Sequence, residues 1–137
     1  MCARTAVLLV LLLLATACSR SPLGPTPVTP APDPIALEGT RHACVTAADL
    51  YPFWGVRSTD GQPRTFSVVR YDAPAPGCDP VTGQAAIPVA PMVGASPLEA
   101  TFYLAPSLPA CGRSTFVLAV DGVTRATVWV DTGVACG

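Results

Sequence analysis

The sequence predicts an all-β fold: a small antiparallel sandwich or barrel of about five to seven strands, stapled by disulfides and set behind a signal peptide and a proline-rich linker. Three observations carry that prediction. Two β-branched, apolar-rich runs flank Asp121-Gly122, a dipeptide suited to a hairpin turn whose two central residues both take positive φ. Other short runs are separated by Pro-rich or Gly-rich turns at 72–80, 105–109 and 111–112, the spacing of a small β domain. Four cysteines, Cys44, Cys78, Cys111 and Cys136, fall in the same region. The chain has 137 residues, which allows one domain and little else.

The first eighteen residues read MCARTAVLLVLLLLATAC. Arg4 supplies a positive start, and Ala6 to Ala17 form an apolar run broken only by Thr16. That run is too short for a bilayer span, which needs about 20 apolar residues, and has the length of a signal-peptide core. Ala15-Thr16-Ala17 offers small residues to a signal peptidase, and Cys18 follows.

Ala15-Thr16-Ala17-Cys18 resembles the lipobox of bacterial lipoproteins, matching its commonest pattern at the last two positions; Leu14 stands one place earlier than the family's usual Leu. The resemblance covers residues 1–18 only. It implies cleavage after Ala17, a diacylglyceryl group on the Cys18 thiol and acylation of the new amino terminus. Ser19, where the family uses Asp for inner-membrane retention, implies the outer membrane if the organism has one. Two or three acyl chains would hold the protein firmly, at about 0.8 kcal/mol per buried CH₂. The alternative is an ordinary secretory signal that leaves Cys18 as a free thiol.

The segment 18–38 is predicted to be the lipidated cysteine and its linker, ahead of a β domain at 39–137. Ser19 to Pro34 contains six prolines in sixteen residues. Proline fixes φ and removes a backbone donor, so neither helix nor sheet can run through. A spacer needs only this composition; a docking ligand for an aromatic groove is the competing use.

Within the domain, the hairpin Ser114 to Val130 is the strongest local signal. A strict two-residue turn pairs Val120 with Val123, Leu118 with Arg125 and Phe116 with Thr127. One face then carries Phe116, Leu118, Val120, Val123 and Trp129; the other carries Val117, Ala119, Ala126, Val128 and Val130. Two apolar faces predict a hairpin covered on both sides, or along part of its length. Leu98 to Leu104 alternates, with Leu98, Ala100, Phe102 and Leu104 on one face. Thr65 to Tyr71 is another strand, separated by Asp60-Gly61 from Phe53 to Ser58. Gln84 to Val93 reads as an edge strand because Pro88 and Pro91 interrupt it. Thr46 to Leu50 reads as a helical turn capped by Thr46, with Asp49 at the third position.

Of six cysteines, Cys2 leaves with the signal and Cys18 takes the lipid. The remaining four permit three disulfide pairings. Cys44–Cys78 with Cys111–Cys136 is favoured, because the second pair would close the open end of the hairpin. The intervening stretches of 33, 32 and 24 residues contain no C-x-x-C, which argues against zinc. No cofactor is expected.

The formal net charge is −1, from nine acidic residues and eight Arg with no Lys. Without a basic patch, nucleic acid is not an expected partner. Lysine-dependent chemistry is excluded. The single histidine, His42, lies just before Cys44 and reads as a surface or capping residue rather than a general base. Asp131-Thr132-Gly133 resembles the Asp-Thr-Gly of aspartic proteases, but that chemistry needs a second carboxylate, and turn propensity explains the same residues. Further carboxylates, among them Asp49, Asp60, Asp72, Asp79, Glu99 and Asp121, are scattered. Tyr51, Phe53 and Trp54 form an aromatic cluster that, if exposed, would be a binding patch for a protein or glycan; buried, it is core.

The sequence therefore predicts a non-enzymatic, membrane-anchored envelope lipoprotein whose β domain binds a partner or serves a structural role. The membrane lipid is its covalent partner, and an envelope protein or glycan its non-covalent one. An envelope hydrolase built on Asp131 and an inhibitor of exported enzymes are the alternatives.

Overall fold

A computed structural model describes Gly24 and residues 27–41, 43–46 and 52–137. The chain divides into two compact units, Met1–Pro32 and Asp33–Gly137. Residues 27–32 of the first unit are exposed and carry no regular structure. Among the described residues, the second unit holds eight strands: β1 (Ile35–Gly39), β2 (Cys44–Thr46), β3 (Phe53–Ser58), β4 (Phe66–Ala73), β5 (Ile87–Val89), β6 (Glu99–Tyr103), β7 (Arg113–Val120) and β8 (Val123–Asp131). A single 3₁₀ turn, Ala105–Ser107, is the only helical element among the described residues.

The strands form two sheets. The smaller is ordered β1-β3-β6, the larger β2-β8-β7-β4-β5. The all-β, disulfide-stapled prediction holds. The linker boundary at 39 does not divide the structure, because Ile35–Gly39 forms β1 and pairs with β3 from Ile35↔Ser58 to Gly39↔Trp54. Ile35 is buried in the core, which explains why the compact unit reaches back beyond the proline-rich composition.

Strand alternation sends one face of each sheet into a common core. The smaller sheet contributes Ile35, Trp54, Val56, Ala100 and Phe102, and the larger contributes Val68, Phe116, Leu118, Val120, Val128 and Val130. Full burial of such a side chain contributes about 1.5–3 kcal/mol. At one end the inward positions turn polar. Arg70 lies 2.9 Å from Asp72 in a charge contact and donates to the Ser107 carbonyl, while the Ser114 hydroxyl donates to Asp72 at 2.6 Å. These groups close the sandwich against the 3₁₀ turn without leaving the carboxylate unpaired.

The hairpin departs from its predicted register. Asp121 and Gly122 take φ of 51° and 79°, as a two-residue turn requires, and Val120 pairs with Val123. Beyond Ala119↔Thr124, however, the next pair is Leu118↔Ala126, and Phe116 lies opposite Val128. Arg125 is the extra residue of a β-bulge. The strict register would have set Arg125 and Thr127 against Leu118 and Phe116, two fully buried side chains. The bulge exchanges them for Ala126 and Val128 and reverses the faces of the rest of β8. Val128 and Val130 join the core, Trp129 turns to the outer face, and Val123 is left 60% exposed. Arg125 is redirected to Asp33, which it meets at 3.0 Å.

One pair is parallel, against the antiparallel expectation: β2 lies beside β8, with Cys44↔Trp129 and Thr46↔Asp131. The long connection between these strands leaves their relative direction free of hairpin constraints. Thr46 ends β2, and residues 47–50 of the predicted helical turn lie outside the described residues. β5 is an edge strand containing Pro88, as its proline requires.

The disulfides are Cys44–Cys78 and Cys111–Cys136, with Cα separations of 5.5 and 5.1 Å. The first draws the 74–86 segment over the outer face of the larger sheet. There Arg113 donates to the carbonyls of Asp79 and Ala75, and the Val81 amide donates to Thr115 Oγ1 at 2.7 Å. Val81 is buried there, outside the main core. The second disulfide closes the hairpin's open end. Beside it Gly112 (φ 79°) passes so near the Ala73 carbonyl that a Cβ would collide with it, and its amide donates to Val134 at 2.6 Å.

Deleting Arg125 should preserve the fold, because the registers on either side of the bulge then meet directly. The loss should be no more than the exposed ion pair with Asp33, below about 1 kcal/mol. Trp54→Ala should cost about 3–5 kcal/mol. Urea unfolding of the two variants checks the order; a larger loss for the deletion would contradict the bulge assignment.

Candidate functional site

The outer face of the smaller sheet holds a trough of about 410 Å³. Its floor follows from the register. One outward row is Glu38, Gly55 and Thr101; the next is Ala36, Arg57 and Glu99. The preceding row carries Phe53 opposite Tyr103, whose ring centroids lie 6.0 Å apart at 42°. The wall beyond β6 is the loop Met92–Ala95. This loop is held along the outer edge of β6: the Met92 amide donates to Thr101 and the Ser96 amide to Glu99, both at 2.8 Å. Ser96 Oγ accepts from the amides of Leu98 and Glu99. Met92 and Val93 are exposed on that wall.

Gly55 gives the trough its depth. It occupies the middle of the central strand, is fully covered, and does not take positive φ. The register shows no bulge there. Backbone conformation therefore does not demand glycine; close approach does. A Cβ at position 55 would stand 2.7 Å from Glu38 Oε1 and 2.8 Å from its Cγ. The missing side chain lets the Glu38 carboxylate lie across the floor. Among the described residues, Glu38, Arg57 and Glu99 make no side-chain ion pair. The trough thus presents two carboxylates and one guanidinium beside an apolar wall, with an aromatic pair on the neighbouring row.

The aromatic cluster from the sequence is divided by the structure. Trp54 is not part of a surface patch: it faces the core, fully buried, and its Nε1 donates to the Thr40 carbonyl at 3.0 Å. Alternation turns Phe53 outward beside the trough. Tyr51 lies outside the described residues, as does His42.

Asp131 ends β8, where its Oδ1 accepts the Gly133 amide at 2.9 Å. Thr132 Oγ1 donates to the Gly112 carbonyl at 2.6 Å. This is turn chemistry, with the carboxylate engaged locally and the threonine tying the chain to the segment beside Cys111. No group of three or more metal-ligating side chains occurs among the described residues. Cys44, Cys78, Cys111 and Cys136 are all in disulfides. Cys18 lies outside the described residues.

Sequence reading missed Glu38, Arg57 and the 92–95 loop because they belong to separated segments that only sheet pairing assembles. The available signal was Gly55, an unexplained glycine within an otherwise strand-forming run.

No protein-family model matches this chain, and no match was found among curated proteins or solved structures.

A second charged cluster joins the two Asp-Gly turns. Arg64 contacts Asp60 at 2.6 Å and Asp121 at 3.3 Å. The Gln62 amide and the Ser58 hydroxyl hold the Asp60 carboxyl below its usual range; the Thr65 amide, followed by Arg64, does so for Asp121. A folded-state pKa below the unfolded value means that stabilisation is complete above the unfolded value of about 3.9 and is lost as pH falls through the folded one. Thermal midpoints should therefore respond little to these groups near neutrality and fall below about pH 4. Asp60→Asn with Asp121→Asn should flatten that acid limb; an unchanged limb in thermal scans would exclude these two groups as its source.

Proposed function

We propose that this protein is a lipid-anchored envelope protein whose β domain is held on a proline-rich stalk and binds a ligand, with no catalytic role. The anchor rests on the lipobox-like Ala15-Thr16-Ala17-Cys18. The supporting observation from the fold is the division of its cysteines. All four in the folded unit are consumed by two disulfides, the usage of an oxidising, exported compartment. Cys2 falls within the signal, so Cys18 is the thiol left for acylation. Each disulfide can add about 2–4 kcal/mol to a small domain with a limited core.

The binding role rests on the trough. Its volume lies within the range of small-ligand sites, and its three charged side chains are unspent on the fold. Asp131, the residue on which a hydrolase would depend, is occupied in a turn.

Replacing Cys18 by Ser tests the anchor in cells grown with radiolabelled palmitate. Labelling should disappear, uncleaved precursor should accumulate, and the mature amino terminus of the wild type should carry acyl mass. Undiminished labelling of the variant would overturn the anchor.

A further inference from the structure

We infer that the trough on the smaller sheet recognises a zwitterionic, dipeptide-like ligand: a free ammonium and a free carboxylate joined by an apolar body. This inference rests on the binding role proposed above and gives it a ligand class.

Charge comes first. Among the described residues, Arg57 is the only cation lining the trough, and Glu38 and Glu99 are its only anions. None is neutralised by a side-chain ion pair among the described residues. A ligand of one sign would satisfy one kind of group and repel the other. A molecule bearing both signs satisfies both at once, and the guanidinium fork suits a carboxylate in particular. The surplus carboxylate favours an ammonium end on the β1 side.

Spacing narrows the choice. Glu38 lies opposite Gly55, and Arg57 stands two residues further along β3. Such diagonal neighbours are about 7–8 Å apart. That is the offset between the two backbone positions, and the charged ends of an extended dipeptide, with α-carbons about 3.8 Å apart, match it more closely than those of one free amino acid. Between the charges the floor is low, with no side chain at Gly55, over which Glu38 lies, and a small one at Ala36. The apolar body then lies against Met92 and Val93, which are exposed on the wall. Glu99 stands directly across from Arg57 in the register, so both signs of charge occur on that row.

Gly55 provides an independent handle. A valine there suits a central strand, and the nearest atoms its Cβ would meet belong to the Glu38 side chain, so it should push that carboxylate off the floor while the strand pairing is retained.

The test is calorimetric titration of the full purified chain with L-leucyl-L-leucine, its N-acetyl form and its C-terminal amide. The free dipeptide should bind saturably, and blocking either end should weaken binding by about tenfold or more, the loss of a charge-assisted contact. Arg57→Ala should weaken the free dipeptide but leave the amide little changed. Gly55→Val should abolish binding while its thermal unfolding stays cooperative and its far-UV circular dichroism stays that of the wild type. Equal binding of blocked and free peptides would overturn the zwitterion assignment, as would Arg57→Ala binding undiminished. Absence of saturable heat at millimolar dipeptide would overturn it too. Undiminished binding by Gly55→Val would remove the ligand from the trough. Each failure leaves the Cys18 labelling result unaffected, so loss of the ligand class and loss of the anchor are separable.

Discussion

Everything in this fold depends on a single apolar layer shared by two sheets, each of which has one face to bury. A three-stranded sheet is stabilised through its hydrophobic face. The β1-β3-β6 sheet is stable because Trp54, Val56 and Phe102 lie in the same buried cluster as Phe116, Leu118 and Val128 of the larger sheet. That requirement reaches into the backbone. Two-residue alternation would carry Arg125 and Thr127 to buried neighbours, and the bulge in β8 resolves the conflict with one additional residue. The redirected guanidinium then meets Asp33, the first residue of the folded unit.

Where the shared core ends, covalent and polar ties take over. The Cys44–Cys78 bridge, Arg113 and Thr115 hold the 74–86 segment on the outside of the larger sheet. The Cys111–Cys136 bridge secures the open end of the hairpin. Arg64 joins the two Asp-Gly turns, Asp60-Gly61 and Asp121-Gly122. Small domains often rely on such ties because surface grows relative to interior as chains shorten. Here the division leaves charges on the outer face of the smaller sheet that make no side-chain ion pair among the described residues, beside the glycine over which Glu38 lies.

Much of the fold was legible because it is written locally. Asp121-Gly122 requires a tight turn, the alternation at 98–104 separates Ala100 and Phe102 from Glu99 and Thr101, and Pro88 restricts its strand to an edge. The trough was not legible for the converse reason. Glu38, Gly55 and Thr101 share a row only through pairings between strands distant in sequence. Composition likewise drew the linker boundary at 39, since a proline-rich approach looks the same whether or not the residues after it find a strand to join. The aromatic cluster around Trp54 was ambiguous because adjacent residues on a strand face opposite ways, and only packing decides which way is in.

By itself the sequence determined the β class, the tight turn at Asp121-Gly122 and the edge character of Pro88, each a property of a few adjacent residues. Tertiary structure alone decided the bulge at Arg125, the parallel placement of β2, the membership of β1 and the assembly of the trough. Those outcomes depend on which distant side chains compete for one buried layer, and that competition has no local signature.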